Sequence, residues 1–436
     1  MQVHKRSRPQ TRGGGQRREA PPPLWRRVTL NLRDSLLIAL LGLVIALPAP
    51  GGSAAQPANE AGGVSEIPIG YIAQAVKRPI PLSRLNTRPE NLGIAGARIA
   101  LKDNNTTGKF TKQHFSLDVK EVPIGGDAVA AFEKLAETGH HFILVDAPAE
   151  TLLALSDAAK GKDILLFNVS AEDVALRQAD CRANVLHTAP DLAMLADALT
   201  QYLVWKQWQR WFVVSGPYPK DQAYLRMLQR AAKRFGARIV ATREYQETPG
   251  ARRSDTGQQL IQRQMPVFTQ NVPDYDVLLV ADRSEIFGPY LPYRSWDARP
   301  VAGTAGLRAM SWHPAHEQWG ATQMQNRFQR FAHRFMLPVD YQAWLAVRAI
   351  GEAASRVGTN DFGKIDAFLR SDKLELAAFK GRKVSFRKWD GQMRQPIIVA
   401  GPELPVSVSP QEGFLHPKSV TDTLGFDAPE SACKMQ

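Results

Sequence analysis

Short apolar runs alternate along the chain with longer stretches in which apolar residues recur every three or four positions. The clearest instance starts at Trp211-Phe212-Val213-Val214 and turns at Ser215-Gly216-Pro217-Tyr218-Pro219. It continues with Ala223, Leu225, Leu228, Ala231, Ala232 and Phe235 on one helical face. Gly236 is a helix stop, and Arg238-Ile239-Val240-Ala241 is a second strand. An earlier stretch has the same grammar: a strand at 142–145, a turn at Asp146-Ala147-Pro148, a helix over 149–159, a stop at Gly161 and a strand at 164–167. Strand–helix–strand crossovers imply parallel strands covered by helices. Two such units, on either side of a long helix opened by Pro190-Asp191, predict an α/β protein of two lobes.

The remaining pattern fills in both lobes. Ile67-Pro68-Ile69-Gly70-Tyr71-Ile72 reads as the first strand, with Pro68 placing its start at a sheet edge or end. A loop over 73–88 carries two prolines and four basic residues. A helix over 92–102, with Gly96 and Ala97 suited to close packing, is expected to stop at Asp103-Asn104-Asn105. Alternation over 115–122 suggests a half-exposed strand, and Asp127 caps a helix reaching Glu137. A short strand at 185–188 precedes the long helix, in whose first turn Pro190 fits. Further on, a helix is expected near 257–265, a strand at 275–280, and a short strand at Val301-Ala302. The stretch 307–312 leads back to the first lobe. Helices follow at 320–335, from Pro338 onward, and from Asp361-Phe362. Asp390-Gly391 marks a hairpin turn between 384–386 and 396–400. The segment from Pro402 is rich in Pro and Ser and is expected to wrap the surface.

Composition changes this picture at one end. The chain of 436 residues has a net charge of +13, but residues 1–55 hold nine Lys/Arg against two Asp/Glu, and the rest holds 46 against 40. The basic balance therefore argues poorly for nucleic acid, and no aromatic–basic interleaving suited to single strands is present. Residues 1–55 read as an export signal: Arg26, Arg27 and Arg33, an apolar core over 36–47, then Pro48, Pro50 and a small-residue site at Ser53-Ala54-Ala55. The core falls short of the roughly 20 residues a spanning helix needs; an uncleaved anchor is the alternative. Arg26-Arg27 also fits a twin-arginine signal loosely. Export places the mature protein in the periplasm. There, the two cysteines, Cys181 and Cys433, suggest one disulfide, with two separate buried thiols as the alternative.

The order of elements resembles the type I periplasmic binding proteins of the branched-chain amino-acid ABC-importer class. The match rests on Ile67-Pro68-Ile69-Gly70, on Gly96-Ala97-Arg98-Ile99-Ala100-Leu101-Lys102-Asp103, on the helix at 341–357 and on the stretch 384–399. Residues 179–188 and 425–433 are also similar to binding-protein-like components that accompany pyrroloquinoline-quinone-dependent alcohol oxidation. The resemblance implies two mainly parallel sheets with helices on both faces, joined by a multi-strand hinge. Its expected divisions are a signal at 1–55, a linker at 56–65, lobe I at 66–189 and 313–385, lobe II at 190–312 and 386–401, and a tail at 402–436. It implies capture of a small molecule by hinge closure, an inner-membrane ABC permease as partner, a monomer, and no cofactor, metal or enzymatic activity. The alternative is a soluble partner or sensor of a quinoprotein oxidation system without a transport role.

In open α/β sheets the ligand lies beyond the carboxyl ends of the strands. That rule selects Gln74, Asp146, Ala147, Asn168 and Ser170 on the first lobe, and Tyr218, Asp282, Arg283 and Thr304 on the second. Amino-acid-binding relatives offer hydroxyls and amides to a carboxylate after the third strand. Here the loop offers Asp146 and the amide-less Pro148, so a ligand carboxylate is repelled unless Asp146 is screened by a cation or protonated. The region after Val301 is short, which calls into question the relatives' ammonium-binding acid. Branched-chain amino acids are therefore not the expected ligand. His313, His316 and Glu317 lack a further metal partner and sit beside Trp312 and Trp319, which favours packing. Gly216-Pro217 makes no phosphate cradle, because Pro217 and Pro219 remove amides. No nucleophile elbow or zinc-protease motif occurs.

Overall fold

The computed structural model describes residues 63–78, 87–247 and 260–435; the expected export signal and cleavage site lie outside them. The first sheet is built from β1 (Ser65–Gln74), α1 (Ile94–Thr111), β2 (Gln113–Val122), α2 (Ala128–Glu137), β3 (Phe142–Asp146), α3 (Ala149–Ala158), β4 (Leu165–Asn168) and β5 (Val185–His187). Its five strands are parallel in the order β2-β1-β3-β4-β5. Side chains alternate between its faces. Ile69, Tyr71, Leu144 and Phe167 pack under α1 on one face, while Ile72, Ile143, Val145 and Leu166 meet Phe132, Leu152 and Leu155 of α2 and α3 on the other.

A second sheet follows α4 (Leu192–Trp205). It comprises β6 (Arg210–Ser215), α5 (Pro219–Phe235), β7 (Arg238–Glu244), α6 (Ile261–Phe268), β8 (Val277–Ala281), the one-turn α7 (Leu291–Arg294) and β9 (Val301–Gly303). Its four parallel strands run β7-β6-β8-β9. Trp211, Val213 and Leu279 pack against α4 and α5; Phe212, Val214 and Leu278 face Met265 and Leu291.

The chain then returns through β10 (Arg308–Met310). It adds α8 (Ala321–Ala332), α9 (Pro338–Val357), α10 (Phe362–Leu369), β11 (Leu376–Ala377), β12 (Lys383–Phe386) and β13 (Met393–Arg394) to the first lobe, and leaves through β14 (Ile397–Ala400) and β15 (Pro405–Ser409). The antiparallel sheet β10-β14-β15 carries two of the passages between lobes; the third runs from His187 into α4. Lys380 ties these passages together. Buried to 1% exposure, it donates to Ser311 O at 3.0 Å, Gln395 Oε1 at 2.8 Å and Pro396 O at 2.6 Å. Gln395 in turn donates to Thr188 O at 2.7 Å.

Several local expectations need correcting. The first helix does not stop at Asp103-Asn104-Asn105 but continues to Thr111. Its asparagines find tertiary partners instead of capping: Asn104 donates to Val347 O at 2.8 Å and Asn105 to Phe115 O at 2.9 Å. Pro190 precedes the cap of α4 and is not in its first turn, because Asp191 is the cap residue and accepts from Met194 N at 2.7 Å. The Asp390-Gly391 turn joins β12 to the short β13, not to 397–400, which pairs with β10. Part of the tail, expected only to wrap the surface, is strand β15. Other readings hold. Asp127 caps α2 through Ala130 N at 2.9 Å. Pro68 lies ahead of the β3 pairing, which begins at Ile69, so its missing amide falls where β1 has one neighbour. Gly96 allows α1 to touch α9, since a Cβ there would lie 1.9 Å from Asp340 O.

Candidate functional site

The carboxyl ends of both sheets open onto a shared cleft. Three contiguous cavities of about 490, 460 and 280 Å³ occupy it, and Arg78 lines all three. Together they have room for a small organic molecule.

On the first-sheet side, Asp146 ends β3 and is 8% exposed. Its Oδ2 accepts from Arg88 Nη2 at 3.2 Å. Burial raises its pKa, while Arg88 and a hydrogen bond from Ser170 pull it back. Asp146 is therefore screened by a cation, and the expected repulsion of a carboxylate is largely cancelled. Gln74 lines the same cavity and accepts from Thr151 Oγ1 at 2.6 Å. Ala147 and Ser170 line it as well. Asn168 is fully buried and does not line it. Its Oδ1 accepts from Ala171 N at 2.9 Å and Ser170 N at 3.2 Å, and its Nδ2 donates to Ala171 O at 2.8 Å. It shapes the loop that presents Ser170 and Glu172.

On the second-sheet side, Asp282 lines the 280 Å³ cavity, but its carboxylate accepts from Ile286 N at 2.9 Å, Phe287 N at 2.8 Å and Gly288 N at 2.6 Å. Burial raises its pKa against those amides. Thr304 accepts from Asp282 N at 3.0 Å and lines the same cavity. Arg283 reaches across the cleft to Glu172, forming an ion pair between the lobes. Tyr218 lies apart from these cavities, 41% exposed, donating to Glu247 Oε2 at 2.8 Å.

Sequence reasoning missed Arg78, Arg88, Glu172, Lys220 and Arg308, all of which line the cleft. The signal for the first two was present in the basic character of the 73–88 loop. Among the described residues, the guanidinium groups of Arg78 and Arg308 have neither a hydrogen-bond nor an ion-pair partner; both residues are exposed to the cleft, and partial desolvation there lowers the pKa of both against the attraction of Glu285. Guanidinium groups that face a cavity with no hydrogen-bonded acid are fit to take an anion. The bridge between Cys181 and Cys433 forms, with Cα atoms 5.6 Å apart. His313 accepts from Ala315 N at 3.1 Å, and His316 packs between Trp312 and Trp319.

The comparisons agree with this architecture. A family model described as periplasmic binding protein matches residues 93–265. No curated protein matches the sequence. The leucine-, isoleucine-, valine-, threonine- and alanine-binding protein from Brucella ovis, in its closed conformation, superposes with a TM-score of 0.65 at 14% identity, over 85% of this chain and 99% of its own. A branched-chain amino acid ABC transporter periplasmic ligand-binding protein from Burkholderia xenovorans LB400 gives 0.65 at 13% identity, over 85% and 99%. A solute binding protein of an ABC transporter from Rhodopseudomonas palustris BisB5, in complex with 3,4-dihydroxybenzoic acid, gives 0.55 at 12% identity, over 79% and 97%. The sequence match and the structural likeness converge on one architecture: this chain has the two-lobed fold of the type I periplasmic binding proteins.

Proposed function

We propose that the chain is the extracytoplasmic solute-binding component of an ABC importer, capturing a small anionic solute between its lobes and presenting it to an inner-membrane permease. The observation that carries this reading is the cleft itself. It lies at the carboxyl ends of two parallel sheets, three hinge segments join the lobes, and among the described residues the Arg78 and Arg308 guanidinium groups face it without a hydrogen-bond or ion-pair partner. In this reading the jaws exchange the chain at 188–191, 310–313 and 395–396, and the packing of Phe386 and Met393 in the first lobe's core supports the last. A ligand that contacts both jaws favours the closed form by its differential affinity.

The lining argues against branched-chain amino acids for a reason other than Asp146. The largest shared surface carries Lys77, Arg78, Arg88, Lys220 and Arg283, which suits a charged group better than an aliphatic side chain. The resemblance of 179–188 and 425–433 to companions of alcohol oxidation supports a carboxylate, since alcohol oxidation ends in carboxylic acids. Native mass spectrometry of gently purified mature protein, followed by calorimetry with carboxylates, leucine and valine, tests the reading. Retention of an organic anion and saturable carboxylate binding are expected. Tight leucine or valine binding defeats the ligand assignment, and absence of any small-molecule binding, with co-purification of an oxidase, favours a partner role.

A further inference from the structure

The chain between 421 and 433 crosses from the first lobe to the second and back. At its start, Asp422 is held by first-lobe arginines: its Oδ1 accepts from Arg387 Nε at 2.9 Å and from Arg394 Nε at 2.9 Å. Next, Leu424 is buried in the second lobe's core. Gly425 follows between α4 and α5. Its N donates to Asp197 Oδ2 at 2.9 Å, and its O accepts from Arg230 at 2.9 Å and Arg234 at 2.6 Å. Gly425 has φ +81°, and a Cβ there would meet Met194 Cγ at 2.9 Å, so the seat is built for glycine. The Arg230 guanidinium lies 4.0 Å over the Phe426 ring and also reaches Glu430 at 3.3 Å. The segment then returns to the first lobe, where Ala432 N donates to Gln178 Oε1 at 2.8 Å and Cys433 is bonded to Cys181, which is 1% exposed.

We propose that this segment is a strap that limits how far the lobes separate, with the Cys181–Cys433 bond as its covalent end. Both ends sit on the first lobe, and the middle is seated in the second, with Arg387 of the first lobe also donating to Leu424 O at 2.7 Å and Phe426 O at 3.4 Å. Rotating the second lobe away must therefore either pull Gly425 from its buried site between α4 and α5 or stretch a short tether. Hinge motion in a two-lobed protein needs only the crossing segments to bend. The strap is an additional connection whose middle is seated by a buried carboxylate and two guanidinium groups, and such seats are strongly directional. A disulfide that only stabilised the fold would need no such seat on the opposite lobe.

The test places non-cysteine spin labels at exposed Lys160 on the first lobe and Lys233 on the second, and reads their separation by dipolar spectroscopy. Ligand-free wild type is expected to give one narrow distance. The Cys181→Ser/Cys433→Ser variant is expected to add a longer, broader population while circular dichroism stays native. Folded wild type treated with a water-soluble phosphine gives the same readout without refolding: the phosphine becomes its oxide with oxygen from water, and both sulfurs become thiols. An unchanged distance distribution after loss of the bond, even with a lower melting temperature, overturns the strap and leaves the disulfide a stabilising staple. The distance is read without solute, so the outcome is independent of whether the cleft takes an anion.

Discussion

On the second-lobe side of the cleft, Asp221 of α5 and Asp282 bind the loop that follows β8, whereas on the first-lobe side Asp146 meets a side-chain cation. Asp221 is fully buried and accepts from both the amide and the hydroxyl of Ser284, each at 2.8 Å. Asp282 gathers three successive amides. Asp146 is paired instead with Arg88, whose side chain is 41% exposed. The difference teaches where each lobe holds its polar groups. The second lobe uses acids to fix backbone, so its rim is a rigid wall; the first lobe keeps acid and base at the cavity surface, where a ligand can rearrange them.

The largest effect that would sharpen this contrast is on stability. Asp221→Ala leaves the two donors of Ser284 without an acceptor in a buried loop, and unsatisfied donors cost about 1–3 kcal/mol each. A loss of about 2–5 kcal/mol in urea unfolding is expected. Gly216→Ala should act in the same direction, because a Cβ there would lie 2.3 Å from Asp221 Oδ2. A change below about 0.5 kcal/mol for Asp221→Ala, the range of ordinary surface substitutions, would dissolve the distinction between wall and rearrangeable surface.

The β12–β13 hairpin offers a pH test of the same idea. Asp390 is 3% exposed, accepts from Gln392 N at 3.0 Å, and has its pKa pushed up to about 6, burial outweighing Arg387. A raised carboxyl pKa means that the native state keeps a proton the unfolded chain has already released. This group's contribution is therefore full below the ordinary carboxyl pKa of about 3.9 and is lost as pH rises toward 6. The size is about 2–3 kcal/mol. Asp390→Asn keeps an acceptor for Gln392 N and should flatten the stability profile between about pH 4 and pH 6. Denaturant midpoints across that range decide it, and an unchanged slope removes Asp390 as the cause.

The frame of this molecule was legible because its strands are buried on both faces and read as apolar runs such as Phe142-Ile143-Leu144-Val145. Helix ends were legible where a local residue set them, as at Asp127 or Gly236. They were not legible where a distant partner did: nothing near Asn104 in sequence announces Val347, which lies 243 positions away. The site divides the same way. The strand-end rule found Asp146, Ser170, Arg283 and Thr304, which line the cleft, because topology alone puts loops there. It could not find that Arg88 screens Asp146 or that Glu172 meets Arg283, since both pairs depend on how separate segments are aimed.

The smallest expected effect on stability is also the one that bears most directly on binding. Asp146→Asn removes a charge that burial disfavours and an ion pair that is partly exposed, so the two losses oppose each other. Folding stability should change by less than about 1 kcal/mol. Because the Asp146 pKa is raised, its contribution to stability falls as pH climbs above the usual carboxyl range, and the substitution should remove that small slope. In the cleft, the same change frees Arg88. Calorimetry should then show carboxylate affinity rising by about tenfold, in line with one added charge-assisted contact, while Arg88→Gln lowers it by a similar factor. Opposite signs for the two substitutions would place the pair at the ligand with Asp146 as a competitor for Arg88. Equal losses for both would mean that the pair acts as one fixed unit, and the first lobe would then be as rigid a wall as the second.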